Sequence, residues 1–298
     1  MKFLKISTID KKLSSKQKGV ILMCFSTFLF SVMQIIVRLT NEIPIMEQLF
    51  FRNIISLFIC AYIINKHGGT YFGGKRYQPL LMLRSVFGMV GILTMFYAVR
   101  HANQADVTII IKMSPFFIVI WAAIFLHEKI YKIQYPTLIL AFIGALLVFN
   151  PVFKVNMLPL IMAFACAIAA SVSSTLLSYF NNRVNGITIV MHFSTFCVIF
   201  ALPFMIVNYV PLTLSQLGYL TLLGMFGGIG QIGLTYAYRM SPATEISVYN
   251  YSGILFSTVL GKICLSENIS TNSLIGGTLV LIAGIIIYKF TPPNNKII

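Results

Sequence analysis

Ten stretches of roughly twenty apolar residues, separated by short polar breaks, run the length of this chain and dictate its solvent. An α-helix rises 1.5 Å per residue, so about 20 residues cross the ~30 Å hydrocarbon core of a bilayer. The runs fall at about 19–38, 45–65, 79–99, 105–126, 134–150, 157–180, 188–207, 215–238, 243–264 and 272–290. They lack the strict alternation of a membrane β-strand, and a helix satisfies its own backbone groups in lipid. Turn residues mark the breaks: Asn41 to Pro44, Gly68-Gly69 to Gly73-Gly74, Asn150-Pro151, Asn181-Asn182 and Ser241-Pro242. The predicted fold class is an all-α integral membrane protein with ten transmembrane helices. Ten spans consume most of the 298 residues, which excludes a sizeable soluble domain. Charged residues are 10% of the chain, against about 25% in a soluble domain.

A net charge of +15 would point to nucleic acid in a soluble protein, but here Lys and Arg gather in the short connections. A cytoplasmic N-terminus places fifteen of the 22 on the cytoplasmic side and four (Arg38, Arg100, Lys154, Lys262) on the other. Both termini are therefore expected in the cytoplasm, and a bacterial inner (plasma) membrane suits the short loops. The basic start precedes an apolar run, 19–37, that is too long for a signal peptide's core and reads as a retained first helix. The expected partners are the lipid bilayer and a small-molecule substrate, with no nucleic acid, and the chain is expected as monomer or homodimer. The five cysteines lie singly inside apolar runs, so buried thiols are expected rather than disulfides or a zinc site.

Sliding the chain along itself by 139 residues aligns the middle of each half. Gly88 and Gly91 meet Gly227 and Gly230; Tyr97-Ala98 meets Tyr236-Ala237; Arg100 meets Arg239. Asp106 falls on Glu245, Leu126 on Leu265, Glu128 on Glu267 and Ile130 on Ile269. Five spans per half, an odd number, force the second half into the membrane in the opposite sense, giving two inverted five-helix repeats. The predicted organisation is a basic segment over 1–18, repeats over 19–151 and 152–290, and a tail over 291–298.

The most specific residues lie at the ends of the fourth and ninth spans. Ser114-Pro115-Phe116 leads to Leu126-His127-Glu128-Lys129 and a helix containing Gly144; Leu265-Ser266-Glu267-Asn268 leads to a helix with Gly276, Gly277 and Gly284. In these features the chain resembles the drug/metabolite transporter superfamily, specifically its ten-helix EamA-type members, over nearly its whole length. His127 and Ser266 stand where the family's Leu-Gly-Glu has Gly, and Ile254 stands opposite Pro115. Phe50-Phe51-Arg52 and Leu83-Arg84-Ser85 look like the branch that includes carriers of S-adenosylmethionine and other amino-acid-like metabolites. The resemblance implies a secondary transporter working by alternating access.

Three cations fall within spans: Arg52, Arg84 and Lys112. Each costs about 2.5–3.5 kcal/mol to insert unless it meets water or a partner. They are expected to line a wet cavity and attract a carboxylate or phosphate; the structural alternative is snorkelling, or pairing of Arg52 with Gln48 or Glu47. Gln34, Tyr97, Gln231, Tyr249 and Asn250 are the polar groups expected to orient a substrate, with His192, Tyr236 and Tyr251 as further candidates; the alternative is that they tie helices together. Asp106 and Glu245 occupy first helical turns, where a carboxylate complements the dipole. Glu128 is expected in an interfacial role near Lys129 and Lys132. The spacing of Ala163, Ala167 and Ser171 predicts close packing of the sixth helix.

No catalytic residue, metal or cofactor is implied. His67, His101, His127 and His192 are dispersed, and no Gly-x-Ser-x-Gly, His-Glu-x-x-His or P-loop occurs. The expected function is transport of a small polar metabolite, anionic or zwitterionic and amino-acid-like. A membrane enzyme acting on lipid and a non-transporting partner subunit are the alternatives.

Overall fold

The structure is a computed structural model that describes residues 14–101, 107, 110–149, 157–207, 210–265 and 271–290. Helices and turns make up all of the described residues. The helices are α1 (Ser15–Leu39), α2 (Ile45–His67), α3 (Gln78–His101), α4 (Ser114–Phe125) and α5 (Gln134–Phe149), then α6 (Met157–Tyr179), α7 (Gly186–Val207), α8 (Leu214–Met240), α9 (Ser252–Leu265) and α10 (Thr271–Phe290). Six of them, α1, α2, α3 with the turn before it, α6, α7 and α8, are long and apolar enough to cross a membrane. Large apolar side chains such as Phe58, Phe125, Ile199 and Ile285 lie exposed on the outside, as lipid contact requires. The expected helix boundaries hold to within four residues except in the fourth and ninth spans.

Those two spans are interrupted rather than continuous. In the fourth, Ile110-Ile111 is helical, Lys112 and Met113 form a turn, and α4 starts afresh at Ser114 with Pro115 in its first turn, where a missing N–H costs nothing. In the ninth, a single turn over Ala243–Ile246 passes into a 3-10 segment, Ser247–Tyr251, before α9 begins. The tighter winding leaves backbone carbonyls to be satisfied from elsewhere. Side chains of α1 and of the fourth span do so, as described below.

The helices pack in pairs. α1 lies along α8, α3 along α6, α2 against both α7 and α8, and α5 against α10; α1 also meets α9, and α4 meets α6. Small residues set the spacing. A Cβ on Gly224 would fall 2.5 Å from Ile55 Cδ1 and 2.7 Å from Phe51 O of α2, so the two backbones touch there. Ala163, Ala167 and Ser171 are buried in α6, and Gly91 of α3 would place a Cβ 3.6 Å from Ala170 N.

The end of the bundle where α1 begins is tied across the chain's two halves. Glu128, just beyond α4, accepts from Ala243 N at 3.0 Å with Oε1 and from Thr244 N at 2.9 Å with Oε2. Its role is therefore to cap the ninth span, where Pro242 supplies no side-chain cap, rather than to sit with Lys129 and Lys132. Glu245 is 2% exposed and pairs with Lys16 Nζ at 3.5 Å. Ser15 Oγ donates to Met240 O at 2.8 Å, and Arg239 donates to Phe180 O at 3.0 Å and to Val184 O. Asp106, Ser266, Glu267, Asn268, the Asn150-Pro151 break and both terminal segments, 1–13 and 291–298, lie outside the described residues.

All five cysteines are free. Cys60, Cys166 and Cys197 are buried, whereas Cys264, in the last turn of α9, is exposed.

Candidate functional site

Two clusters carry the intramembrane cations. The first lies where α2, α3, α7 and α8 meet. Arg52 and Arg84 are 3% and 1% exposed, and both guanidiniums address one ring, Phe193 of α7. The Arg84 Cζ stands 4.2 Å from the ring centroid and the Arg52 Cζ 5.9 Å. A cation over an aromatic face gains about 0.5–2 kcal/mol, which does not offset insertion of the charge. Arg52 also donates to Asn53 Oδ1 at 3.2 Å and to Gln231 Oε1 at 3.5 Å. Neither expected partner pairs with it. Gln48 instead donates to Thr40 O and Thr40 Oγ1, both at 2.7 Å, and Glu47 accepts no hydrogen bond.

The guanidiniums are left incomplete. Arg52 Nε, Arg84 Nε and Arg84 Nη1 are buried without an acceptor, and among the described residues no carboxylate pairs with either side chain. The local fold explains how they fit. Gly227 of α8 leaves room for the Arg52 stem, whose Cγ is 3.0 Å from where a Cβ would stand; Gly88 of α3 leaves room for the Phe193 edge, at 2.9 Å. His192 accompanies them, with Nδ1 2.9 Å from Ser85 Oγ, and Ser173 Oγ donates to Arg84 O at 3.4 Å.

The second cluster joins the two interrupted spans. Lys112, in the turn before α4, donates its ammonium to Asn250 O in the 3-10 segment at 2.8 Å. α1 runs beside this junction: Thr27 Oγ1 is 2.8 Å from Ser252 Oγ, and Ser31 Oγ donates to Gly253 O at 3.2 Å. Gly253 keeps this junction close, since a Cβ there would lie 3.2 Å from Lys112 Nζ and 3.4 Å from Thr27 Cβ. Hydroxyls and one ammonium thus satisfy the carbonyls that the broken helices expose.

Of the residues expected from the sequence, Arg52, Arg84 and Gln231 come together in one cluster, and Lys112 and Asn250 in the other. Asn250 takes part through its backbone oxygen. Gln34 is half-buried on α1. Tyr249 donates to Gly284 O of α10 at 3.2 Å, which ties helices, and Tyr97 stacks on His101 at 4.2 Å near the end of α3. Tyr236 reaches Asn185 Oδ1 at 3.4 Å, and Tyr251 is buried among apolar residues. Sequence reasoning missed Phe193, Thr27, Ser31, Ser252 and Gly253. A phenylalanine in an apolar run carries no signal, whereas hydroxyls repeated at a four-residue spacing, Thr27 and Ser31, were a readable one.

A polytopic helical bundle with unsatisfied buried cations is the class of a small-solute carrier, and sequence comparison agrees. The profile of the EamA-like transporter family matches residues 17–150 and again residues 157–289. The chain belongs to that family and is a transporter, not an enzyme. The pseudopaline exporter CntI of Pseudomonas aeruginosa is 30% identical over 270 residues, covering 90% of this chain and 94% of that one. Solute carrier family 35 member G1 of Mus musculus is 25% identical over 292 residues, covering 91% and 78%. An S-adenosylmethionine uptake transporter of Rickettsia bellii is 23% identical over 255 residues, covering 84% and 86%. A solved crystal structure shares the fold at a TM-score of 0.76 and 17% identity, over 90% of this chain and 95% of that one.

Proposed function

We propose that this protein is a secondary carrier for a small organic solute bearing a carboxylate, anionic or zwitterionic and amino-acid-like, and that Arg52 and Arg84 receive the carboxylate. The observation that carries this reading is the pair of buried guanidiniums with three unsatisfied N–H sites around Phe193. Charge-assisted hydrogen bonds from a planar guanidinium to a carboxylate are short and strong, and a solute would be the partner that the described residues do not supply. Gln231, beside Arg52, would add orientation. Lys112 at the junction of the broken spans would sense which way the two halves lean.

The same reading makes the bundle two inverted repeats that alternate access. Three observations support it: the 139-residue correspondence, the two matches of one family profile, and helix pairings that exchange under that correspondence, α1–α8 with α6–α3 and α1–α9 with α6–α4. Interrupted spans at matching positions, Lys112 against Tyr251, belong to the same pattern. The basic connections orient both termini to the cytoplasm of a bacterial inner membrane. One relative is named for pseudopaline export and another for uptake of S-adenosylmethionine, an amino acid and so a solute of the proposed kind.

The test is counterflow exchange in proteoliposomes with a panel of amino acids, S-adenosylmethionine and organic anions. At least one carboxylate-bearing solute is expected to exchange, and Arg84→Ala is expected to reduce exchange at least about tenfold, because a lost charge-assisted bond costs about 1.5–3 kcal/mol. Undiminished exchange by a correctly inserted Arg84→Ala protein would sink the assignment.

A further inference from the structure

Glu47 has no part in the clusters above and no hydrogen-bond or ion-pair partner among the described residues. It is the third residue of α2, 1% exposed, and neither carboxylate oxygen accepts a hydrogen bond. A glutamate at this position ordinarily reaches back to the backbone N–H of the capping residue. Here that residue is Pro44, which has none. The Gln48 amide is held by Thr40, and Arg100 donates through Nη2 to Ile43 O, while its buried Nε, like the Glu47 oxygens, has no partner. A cleft of about 410 Å³ reaches this turn, at the end of the bundle opposite the start of α1.

The cleft narrows the choice of what Glu47 binds. Pro44, Ile45 and Met46 line it from α2 and the turn before it, Arg100 from α3, and Phe204 and Met205 from α7. Arg100 is the one other charged or titratable side chain among these, and no ion pair joins it to Glu47. From α1 and its turn come Thr40 and Ile43, while α8 meets α2 further along, at Gly224 against Phe51 and Ile55. A metal cation needs several oxygen ligands and an ammonium needs three acceptors. Among the described residues, a lining of Pro, Ile, Met, Phe and one Arg gives neither. A proton needs only the carboxylate.

We propose that Glu47 is a proton-binding site of this carrier, reached through the cleft and emptied as the solute site turns over. The proposal rests on the carrier reading given above. Glu47 and Arg52 lie five residues apart on one rigid helix, α2. A proton on the first and a carboxylate on the second each remove a charge from that helix, so each changes the cost of moving it through lipid. This two-state element, biased from both positions, is the physical means of coupling proton to solute.

The first measurement needs no solute. Infrared difference spectroscopy of the full chain in nanodiscs, with the medium cycled between acid and alkaline pH, should show a buried carboxyl band that appears and vanishes reversibly. Glu47→Gln should lack that band, and Glu42→Gln, which alters an exposed carboxylate in the adjacent turn, should keep it. If Glu47→Gln does not fold, Glu47→Asp should keep a titrating band at a shifted pH. The second measurement uses the solute that exchanges in the panel. A one-unit pH gradient should drive its accumulation up to about tenfold, the limit for one proton per solute. Glu47→Gln should lose this while solute exchange at equal pH persists; Arg84→Ala should lose both. An identical band pattern in wild type and Glu47→Gln, or a pH-driven gradient that survives Glu47→Gln, overturns the proposal. Loss of all exchange in wild type would instead strike the carrier reading and leave the infrared result standing.

Discussion

Glu128→Ala tests whether the tie between the halves holds in solution. The carboxylate gives one oxygen to each of two adjacent N–H groups, Ala243 and Thr244, at 3.0 and 2.9 Å. Each bond at a part-buried helix start is worth about 1–1.5 kcal/mol, so the pair contributes about 2–3 kcal/mol. Its loss should favour opening of the 243–251 segment by roughly 30- to 150-fold. With fast reclosing, amide exchange at 243 and 244 accelerates by the same factor. Hydrogen–deuterium exchange of that peptide in nanodiscs reads it directly. Glu128→Gln retains one carbonyl acceptor and should recover one bond, leaving an acceleration of roughly 5- to 12-fold. Exchange in Glu128→Ala within about twofold of wild type would refute the argument, since lost capping of this size cannot hide.

Two packing predictions accompany it. Gly224→Ala should destabilise the protein by about 1–3 kcal/mol, because its Cβ meets backbone as well as Ile55, while Gly218→Ala, which meets nothing within 4 Å, should be neutral; thermal unfolding of the two variants compares them. His127→Gly should stabilise by about 1 kcal/mol, because His127 holds φ at +52°, where a Cβ is penalised. Its thermal midpoint should rise, and an unchanged or lowered midpoint would show that the imidazole compensates the strain.

How much was legible in the sequence depends on what kind of signal each feature left. Hydrophobic runs and turn residues placed the helix ends, because lipid admits few alternatives to a span of fixed length. The interruption at Lys112 was marked only by Pro115 just beyond it, and that at Ser247–Tyr251 by nothing comparable: the ninth span has no proline, and its 3-10 turn is held by side chains from α1 and from the fourth span. Arg52 and Arg84 stood out because a cation in an apolar run is expensive, but the ring that joins them did not. The family's Gly before Glu128 becomes intelligible only from the backbone: the chain turns left-handed at 127, so that Glu128 N returns to Ala122 O at 3.2 Å and its carboxylate faces the ninth span. Pairing of Arg52 with Gln48, one turn away, or with Glu47 was the expected alternative, but Arg52 turns instead toward Phe193 and Gln231.

The absence of a carboxylate beside Arg52 and Arg84, among the described residues, has a consequence for how such a site must work. If Arg52 and Arg84 receive the solute as proposed, a resident acid would satisfy the guanidiniums and compete with it, so leaving them unsatisfied would make the empty site costly and the loaded one favourable. Gln231→Glu puts this to the test, because the Gln231 side-chain oxygen already lies 3.5 Å from Arg52 Nη2. The new carboxylate should pair with Arg52 and supply internally what a solute would bring. Since separating a buried ion pair costs about 3–5 kcal/mol, carboxylate exchange should fall by well over about tenfold. Thermal stability without solute should rise or hold, and added solute should no longer raise it. Loss of stability together with wild-type exchange would mean that position 231 does not face the binding charge, and that the anion sits elsewhere.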